Sequence, residues 1–242
     1  MKQDDPDEVQ NDVTGADDQS PPLSAGEIFG DRLRLAEEYR SILATDGITR
    51  GLIGPREVPR LWDRHIVNCA VIGDVIEQSE SVIDIGSGAG LPGIPLSIAR
   101  PDLSITLIEP LLRRSTFLQE VVDKLALDVT VVRGRAEEKA VRSSVDPADV
   151  VTSRAVAPLE RLVQWSAPLI REGGRLVAIK GSSAAEEIER DGARVGRLGI
   201  SGLKVETCGG NLIDPATTVI VGTRGAGQSR GKTSNRGPKA GR

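Results

Sequence analysis

Apolar residues recur along the chain with two different spacings, and segments of the two kinds alternate. Short runs rich in β-branched residues predict strands at 82–85, 104–108, 128–133, 148–152, 174–180, 203–208 and 217–222. Apolar residues spaced three and four apart predict helices at 94–99, 110–125 and 183–198, and another that ends near residue 169. This alternation predicts an α/β fold with a doubly wound, largely parallel sheet.

Two further helices are predicted ahead of the first strand. Ser24 and Glu27 have the spacing of a capping box, and an apolar stripe after them predicts a helix from about 25 to 44. A second helix is predicted at 61–72, with a break near Gly73. Both helices are too short to form a separate domain. We therefore expect one domain at 23–223, with a helical annex at 23–80 and a Rossmann-like core at 81–223.

The strand at 82–85 leads into a glycine-rich loop. The loop follows Asp84, and its glycines are Gly86, Gly88, Gly90 and Gly93. Glycine lets the backbone turn tightly and approach a ligand where a Cβ atom would collide. The helix that follows offers unpaired N–H groups, and Glu109, at the end of the next strand, can accept both hydroxyl groups of a ribose. This unit predicts a site for a nucleoside with a polar tail.

Two kinds of nucleoside fit the unit. The spacing Gly88-x-Gly90-x-x-Gly93, with Glu109 some twenty residues further on, matches the dinucleotide fingerprint and indicates NAD. Asp84 argues against NAD, because its carboxylate would repel a pyrophosphate but suits an ammonium or sulfonium group. The form Asp-x-Gly-x-Gly-x-Gly is similar to the first motif of class I methyltransferases, which bind S-adenosylmethionine. We favour the methyltransferase over the dinucleotide enzyme.

Composition adds limits to this prediction. Two distant cysteines and a single histidine, His65, exclude a disulfide framework and a histidine-rich metal site, so no metal is expected. No apolar run approaches the length of a membrane span, and a cytoplasmic location is expected. The net charge of −4 combines an acidic segment at 1–22 with a basic segment at 224–242. Both segments are predicted to be disordered tails, and the basic one to add affinity for nucleic acid without sequence specificity.

Five segments at or near the predicted strand ends carry a specific pattern. They are Trp62-x-x-His65, Asp84 to Pro95, Glu109 to Leu118, Gly134 to Glu137 and Asp149 to Ala157. In these segments the chain resembles the bacterial small-subunit rRNA guanine-N7 methyltransferase G family, also called glucose-inhibited division protein B. The strong resemblance covers roughly residues 60–182. One departure is the stretch after His65, where many relatives have an Asp-Ser pair that is absent here.

The resemblance implies an enzyme that moves a methyl group from S-adenosylmethionine to N7 of a guanine in the 530 loop of 16S rRNA. It implies that Gly86 and Leu91 line the methionine and ribose side of the cofactor, that Ala136 and Glu137 meet the adenine, and that Arg154 closes the pocket. With the residues of the glycine loop unit, the expected cofactor set is Asp84, Gly86, Gly88, Gly90, Leu91, Glu109, Ala136, Glu137 and Arg154.

The remaining candidates concern catalysis and RNA. Arg154 needs a partner in its apolar surroundings, and the cofactor carboxylate, an RNA phosphate, Asp84 or Asp149 could each serve. Arg154 and His65 are the candidate catalytic residues, although a packing role for His65 stays open. Candidate phosphate contacts, each of which could equally be a solvated surface charge, are Arg113, Arg114 and Lys180. Guanine N7 carries no proton to remove, so the absence of an obvious base in the motifs fits this target.

The expected partner is 16S rRNA or the small ribosomal subunit, and we expect the chain to act as a monomer away from membranes. Two other functions stay open at this point. One is a catalytically silent rRNA-binding assembly factor that keeps the cofactor pocket for stability. The other is an NAD-dependent dehydrogenase.

Overall fold

The computed structural model describes residues 20–226, and its strands form one seven-stranded sheet. The strands are β1 (Ser81–Ile85), β2 (Ser104–Glu109), β3 (Val129–Arg133), β4 (Ala148–Arg154), β5 (Ile170–Ile179), β6 (Ile200–Cys208) and β7 (Thr217–Arg224). Their spatial order is β3-β2-β1-β4-β5-β7-β6, with β1 to β5 parallel and β7 antiparallel to both of its neighbours. From β1 the chain adds strands toward one edge of the sheet as far as β3, and from β4 it adds them toward the other edge. An open α/β sheet binds its ligand at such a switch point, which here lies between β1 and β4.

Helices cover both faces of the sheet. They are α1 (Leu23–Phe29), α2 (Leu33–Ile42), α3 (Val67–Ala70), α4 (Gly93–Ala99), α5 (Leu112–Lys124), α6 (Lys139–Ser144), α7 (Leu159–Ser166) and α8 (Ala184–Arg197). Alternate strand residues point to opposite faces, so Val82 packs in the core with α1 to α5 while Ile83 packs in the core with α7 and α8. Two apolar faces explain why the central strands read as continuous apolar runs.

The helical annex exists, but it is more broken than its apolar pattern predicts. The expected helix at 25–44 is α1, a 3₁₀ turn at Gly30–Arg32, α2 and a π turn at Leu43–Gly47. Gly30 has a φ of +50°, which ends α1. The prediction that Ser24 and Glu27 form a capping box is wrong, because Pro22 occupies the N-cap of α1 and no side chain caps this helix. The helix predicted at 61–72 is a π turn at Leu61–Ile66, then α3, then a 3₁₀ turn at Val71–Val75.

Two strands run further than predicted, and both extensions matter. β4 reaches Arg154, so this residue is the last of a strand rather than part of a loop. β7 reaches Arg224, whose guanidinium donates hydrogen bonds to the carbonyl oxygens of Ala167 and Ile170. Arg224 therefore holds the fold together, and its assignment to the basic tail is wrong. The rest of that tail beyond 226, and the acidic tail up to 19, lie outside the described residues.

The annex is attached to the sheet by polar contacts as well as by the core. Asp74 accepts a 2.7 Å hydrogen bond from the backbone N–H of Gly209, and the Thr217 hydroxyl donates to the Asn68 carbonyl at 2.9 Å. These bonds tie the annex to the hairpin of β6 and β7. Between residues 20 and 226, none of the helices has the length and apolar character needed to cross a membrane.

Candidate active site

The loop between β1 and α4 has a backbone that side chains would disturb. Gly86, Gly88 and Gly90 have φ values of +70°, +61° and +102°, a region that favours glycine. Gly93 is required by space instead, because a Cβ atom there would lie 2.2 Å from a methyl carbon of Leu107. The loop therefore keeps an open backbone surface toward solvent while packing closely against β2.

Asp84 lies beneath this loop and is fully buried. Its Oδ2 atom accepts a 3.0 Å hydrogen bond from the backbone N–H of Gly93, and Oδ1 has no hydrogen-bond partner. Burial raises the pKa of this carboxyl to about 7, against the hydrogen bond from Gly93, which lowers it. Asp84 is not among the residues that line the cavities described below. The structure therefore places Asp84 where it supports the loop, and does not place it at a cavity wall.

Glu109, the last residue of β2, also holds the loop. Its Oε2 atom accepts a hydrogen bond from Gly88 N–H and its Oε1 atom one from Leu111 N–H, each at 2.9 Å. Each carboxylate oxygen has a second lone pair, so both remain able to accept from a ligand hydroxyl. Glu109 is only 1% exposed, yet it forms part of a cavity wall.

A cavity of about 560 Å³, the loop cavity, lies over the carboxyl ends of β1 and β2. Its lining brings together residues from the loop, the annex and β4: Leu52, Ile53, His65, Gly86, Ser87, Gly88, Ala89, Leu91, Glu109, Pro110, Leu111, Arg114, Arg135, Arg154, Ala155 and Val156. Five of the predicted cofactor residues meet here, namely Gly86, Gly88, Leu91, Glu109 and Arg154. The volume lies within the range of small-ligand sites.

A smaller cavity of about 180 Å³, the side cavity, continues from the loop cavity past Gly86 and Pro110. It contains the predicted pair Ala136 and Glu137, which follow β3. Its outer wall is a pair that sequence reasoning missed, Arg161 and Trp165 of α7, with the guanidinium carbon 5.1 Å from the ring centroid. Their spacing of four residues on a predicted helix could have indicated from the sequence that these two side chains meet. An aromatic wall and a nearby carboxylate suit a flat, polar-edged ring.

Arg154 pairs with His65, the residue for which the sequence left both a catalytic and a packing role open. Its Nη2 atom lies 2.8 Å from Nδ1 of His65, and its Nη1 atom donates to the Cys69 sulfur at 3.4 Å. The predicted pairings with Asp84 or Asp149 are wrong, because Asp84 bonds Gly93 while Asp149 bonds Ser81 and Arg171. Two of the five guanidinium N–H groups are used in these contacts, and three stay available for ligands.

His65 is buried between Arg154 and an acid that the motifs did not indicate. Its Nε2 atom lies 2.7 Å from Oε2 of Glu57. Burial and then the charge of Arg154 lower the pKa of His65, against the hydrogen bond to Glu57, which raises it. The imidazole is therefore kept neutral.

A third cavity of about 740 Å³, the outer cavity, adjoins residues 154–156. Arg154, Ala155 and Val156 line both it and the loop cavity. Ala155 has a φ of +53°, unusual for a residue with a side chain. The rest of the outer cavity is formed by Arg64, Asn68, Ala157, Pro158, Ile179, Lys180, Gly181, Ser183, Glu187 and Arg190.

The three candidate phosphate contacts, Lys180, Arg114 and Arg113, lie in different surroundings. Lys180 lines the outer cavity, but its ammonium group donates to Glu187 at 2.8 Å and to the Ala157 carbonyl at 3.0 Å. It is therefore not the free surface charge that one interpretation of the sequence expected. Arg114 lines the loop cavity, whereas Arg113 is exposed on α5 and lines none of the three cavities.

Sheet order, glycine loop and the acid that ends β2 define the class. The chain is a class I S-adenosylmethionine-dependent methyltransferase by fold. A methyltransferase from Pyrococcus furiosus shares the fold with a TM-score of 0.52 and 13% identity, over 82% of this chain and all of that chain.

The family follows from the comparison of sequences. The family model of GidB, rRNA small subunit methyltransferase G, matches residues 32–215. A ribosomal RNA small subunit methyltransferase G from Mycolicibacterium gilvum is 56% identical over 89% of this chain and 95% of its own length. A relative with the same name from Rhodococcus jostii is 63% identical over 82% and 87%. The chain belongs to the rRNA small subunit methyltransferase G family.

Family membership confirms several predictions together. The fold class, the methyltransferase activity on small-subunit rRNA and S-adenosylmethionine as the methyl donor are confirmed. The NAD-dependent dehydrogenase is excluded by the same finding. The individual site residues stay predictions, which the geometry above allows to be argued.

Proposed function

We propose that the chain transfers the methyl group of S-adenosylmethionine to N7 of a guanine in small-subunit rRNA, the one in the 530 loop that the family resemblance indicates. The methyl donor would occupy the loop and side cavities, and the guanine the outer cavity. The observation that supports this most is that one segment, Arg154 to Val156, lines both the loop cavity and the outer cavity. Two reactants held against one short segment meet the requirement for transfer by proximity.

The residues of the loop cavity fit the polar part of the donor. Glu109 has lone pairs left for the ribose hydroxyls, and Leu91 and Gly86 form the adjacent wall. Gly88 leaves space, since a Cβ atom there would have only one atom within 4 Å, the Gly86 carbonyl oxygen at 3.8 Å. Asp84 acts indirectly in this proposal, by holding Gly93 and hence the loop.

The side cavity fits the adenine. Trp165 offers a ring face, Ala136 a small apolar contact, and Glu137 an acceptor for the exocyclic amino group. The aromatic wall adds stacking that is typically worth about 1–3 kcal/mol per base. The side and loop cavities share Gly86, Pro110, Arg135 and Val156, so the proposed adenine and ribose subsites are adjacent.

The reaction asks for positioning rather than for proton transfer. S-adenosylmethionine supplies a methyl group on a positively charged sulfur, which leaves as a neutral thioether. The guanine N7 lone pair forms the new C–N bond as the S–C bond breaks, and no proton has to be removed. The task of the chain is to align the two, which can contribute about 7–11 kcal/mol. Arg154 and its neighbours hold the junction where that alignment takes place.

The outer cavity has the charge that an RNA substrate requires. Arg64, Arg154 and Arg190 line it, and Lys180 lies on its wall in an ion pair with Glu187. Arg64 and Arg190 have exposed side chains, and Arg190 also forms an ion pair with Asp191 at 2.9 Å. Arg113 and Arg114 are proposed as contacts for RNA that passes the rim of the loop cavity. The proposed substrate favours a reaction in the cytoplasm. A monomer is proposed because one chain supplies all three cavities.

Radiolabelled methyl transfer tests this proposal. Purified full-length protein is incubated with S-adenosylmethionine labelled in the methyl group and with 16S rRNA or small subunits that lack the modification. Digestion to nucleosides should yield labelled 7-methylguanosine alone. Binding of both ligands without transfer would instead indicate a silent assembly factor, and label in another nucleoside would refute the N7 assignment.

A further inference from the structure

Three side chains from separate segments form a hydrogen-bonded row that ends at the junction of the two large cavities. Glu57 lies in the 3₁₀ turn Pro55–Arg60, His65 in the π turn Leu61–Ile66, and Arg154 at the end of β4. The two links measure 2.7 Å and 2.8 Å. Glu57 lines none of the three cavities, and it reaches them through His65 and through Arg64, a residue of the outer cavity that lies 3.5 Å away.

The row allows one arrangement of protons. Arginine has no acceptor atom and stays protonated in proteins, so Arg154 must donate and Nδ1 of His65 must accept. The single ring proton of a neutral imidazole is then on Nε2, where it is donated to the Glu57 carboxylate. A proton on Nδ1 would face the guanidinium N–H group and break the link to Arg154.

We infer that Glu57 is a positioning residue for methyl transfer, because its carboxylate holds the imidazole of His65 through Nε2–H and His65 in turn holds the guanidinium of Arg154 beside the two cavities. The inference rests on the proposed function for the role of Arg154. Removing Glu57 takes away the acceptor that holds Nε2–H, so only the link to Arg154 is left to orient the ring. Arg154 then loses its orientation although every residue that touches a ligand is still present.

The charges around His65 support the same arrangement. Burial is the main cause that lowers the pKa of His65, and the positive charges of Arg154 and Arg64 lower it further, whereas the hydrogen bond and charge of Glu57 raise it. The hydrogen bond from His65 is the main cause that lowers the pKa of Glu57, which keeps this partner a carboxylate. Arg64 also approaches Glu57, at 3.5 Å. The Cys69 thiol, on the other side of Arg154, has its pKa raised to about 11 by burial and stays neutral.

The tautomer is measured directly by nitrogen NMR, because His65 is the only histidine of the chain. Tag-free, full-length protein labelled with ¹⁵N in histidine should show one ring, with Nε2 protonated and Nδ1 unprotonated. Glu57→Gln keeps an acceptor oxygen and should retain this pattern. Glu57→Ala leaves Arg154 opposite Nδ1, so it should retain this tautomer but lose the downfield shift that the bond to Glu57 gives the Nε2 proton.

Kinetics on the small-subunit rRNA substrate test the consequence. Glu57→Ala should lower kcat roughly ten- to a hundredfold, the range that small misplacements of reacting groups produce, with KM for RNA unchanged. Glu57→Gln should stay within about threefold of wild type. It should also move the acid limb of the kcat profile to lower pH, because the negative charge that raises the pKa of His65 is gone. Glu206→Ala is the control, a carboxylate of β6 with an ion pair to Lys204 and a similar exposure of 28% against 30%.

Each result decides the inference. An Nδ1–H tautomer in the wild type, or a Glu57→Ala enzyme with unchanged kcat, would overturn it. A loss of kcat with the Nε2 proton signal unchanged from the wild type would also overturn it, since Glu57 would then act by another route. If Glu57→Ala does not fold, the pH shift of Glu57→Gln decides, and an unmoved acid limb counts against the inference. A wild type that yields no 7-methylguanosine refutes the proposed function instead and leaves the tautomer result to stand by itself.

Discussion

The Tyr39 hydroxyl donates a 2.8 Å hydrogen bond to the carbonyl oxygen of Ala89, and this bond joins α2 of the annex to the glycine loop of the core. Tyr39 is fully buried, and burial raises its pKa well above the usual value, so the hydroxyl remains a donor at any working pH. The annex therefore braces the wall of the loop cavity, on which Ala89 lies.

Tyr39→Phe should weaken both stability and cofactor binding. It removes the donor and leaves the buried Ala89 carbonyl oxygen unsatisfied, which costs about 1–3 kcal/mol. Thermal unfolding should show a lower midpoint, and titration calorimetry a weaker affinity for S-adenosylhomocysteine. Equal affinity in the variant would contradict the bracing role.

Two loop glycines should separate folding from binding. Gly93→Ala places a Cβ atom 2.2 Å from Leu107 and 3.0 Å from Asp84 Oδ2, so we expect it to cost about 1–3 kcal/mol or more of stability. Gly88→Ala meets no such clash, and only its positive φ adds strain of about 1–2 kcal/mol. Its methyl group enters the space proposed for the cofactor. Gly88→Ala should fold and lose affinity for S-adenosylhomocysteine, whereas a variant that binds normally would place the cofactor elsewhere.

Asp84 should make stability depend on pH. The pKa of its carboxyl is about 7 in the folded protein and close to 3.9 in an unfolded chain. Between these values the folded protein binds more protons than the unfolded chain, so its free energy of unfolding falls as pH rises. Asp84→Asn removes this contribution while an amide oxygen can still accept from Gly93. Urea unfolding from pH 4 to 7 should show that the free energy of unfolding falls less steeply with pH in Asp84→Asn than in the wild type. Parallel pH dependences of the two proteins would mean that Asp84 is ionised throughout this range.

Glu187 should restrain Lys180 in the absence of RNA. Its Oε2 atom accepts both from Lys180 and from the backbone N–H of Leu159. Glu187→Gln keeps an acceptor for Leu159 but removes the charge that holds the ammonium group. RNA affinity should rise at low salt, and the slope of log affinity against log salt should steepen by about 0.7–0.9 if Lys180 gains one phosphate. An unchanged slope would mean that Lys180 has a structural role only.

Strand ends were the part of the site that the sequence could place. Asp84, Glu109 and Arg154 each end or nearly end an apolar run, and parallel strands bring such ends to one edge of the sheet. What each of these side chains bonds depends on distances that periodicity does not contain. The prediction thus assigned Asp84 to a ligand, whereas the structure shows it bonded to Gly93.

Residues in irregular backbone could not be placed in the same way. Glu57 reaches His65 because a 3₁₀ turn runs directly into a π turn, and neither turn has a repeating apolar pattern. Lys180 pairs with Glu187 across the loop between β5 and α8, at a spacing that neither a strand nor a helix brings together. Contacts of this kind required the three-dimensional structure.

The most direct test of the account is the 7-methylguanosine content of 16S rRNA, measured by mass spectrometry in cells that lack the protein and are complemented with variants. Arg154→Ala should abolish the modification that the wild-type protein restores, because Arg154 lies where both reactants are proposed to meet. Arg171→Ala provides a matched control that should restore the modification, because this half-exposed arginine pairs with Asp149 and lines none of the three cavities. Full modification by Arg154→Ala, or the same 7-methylguanosine content with and without the protein, would contradict the account.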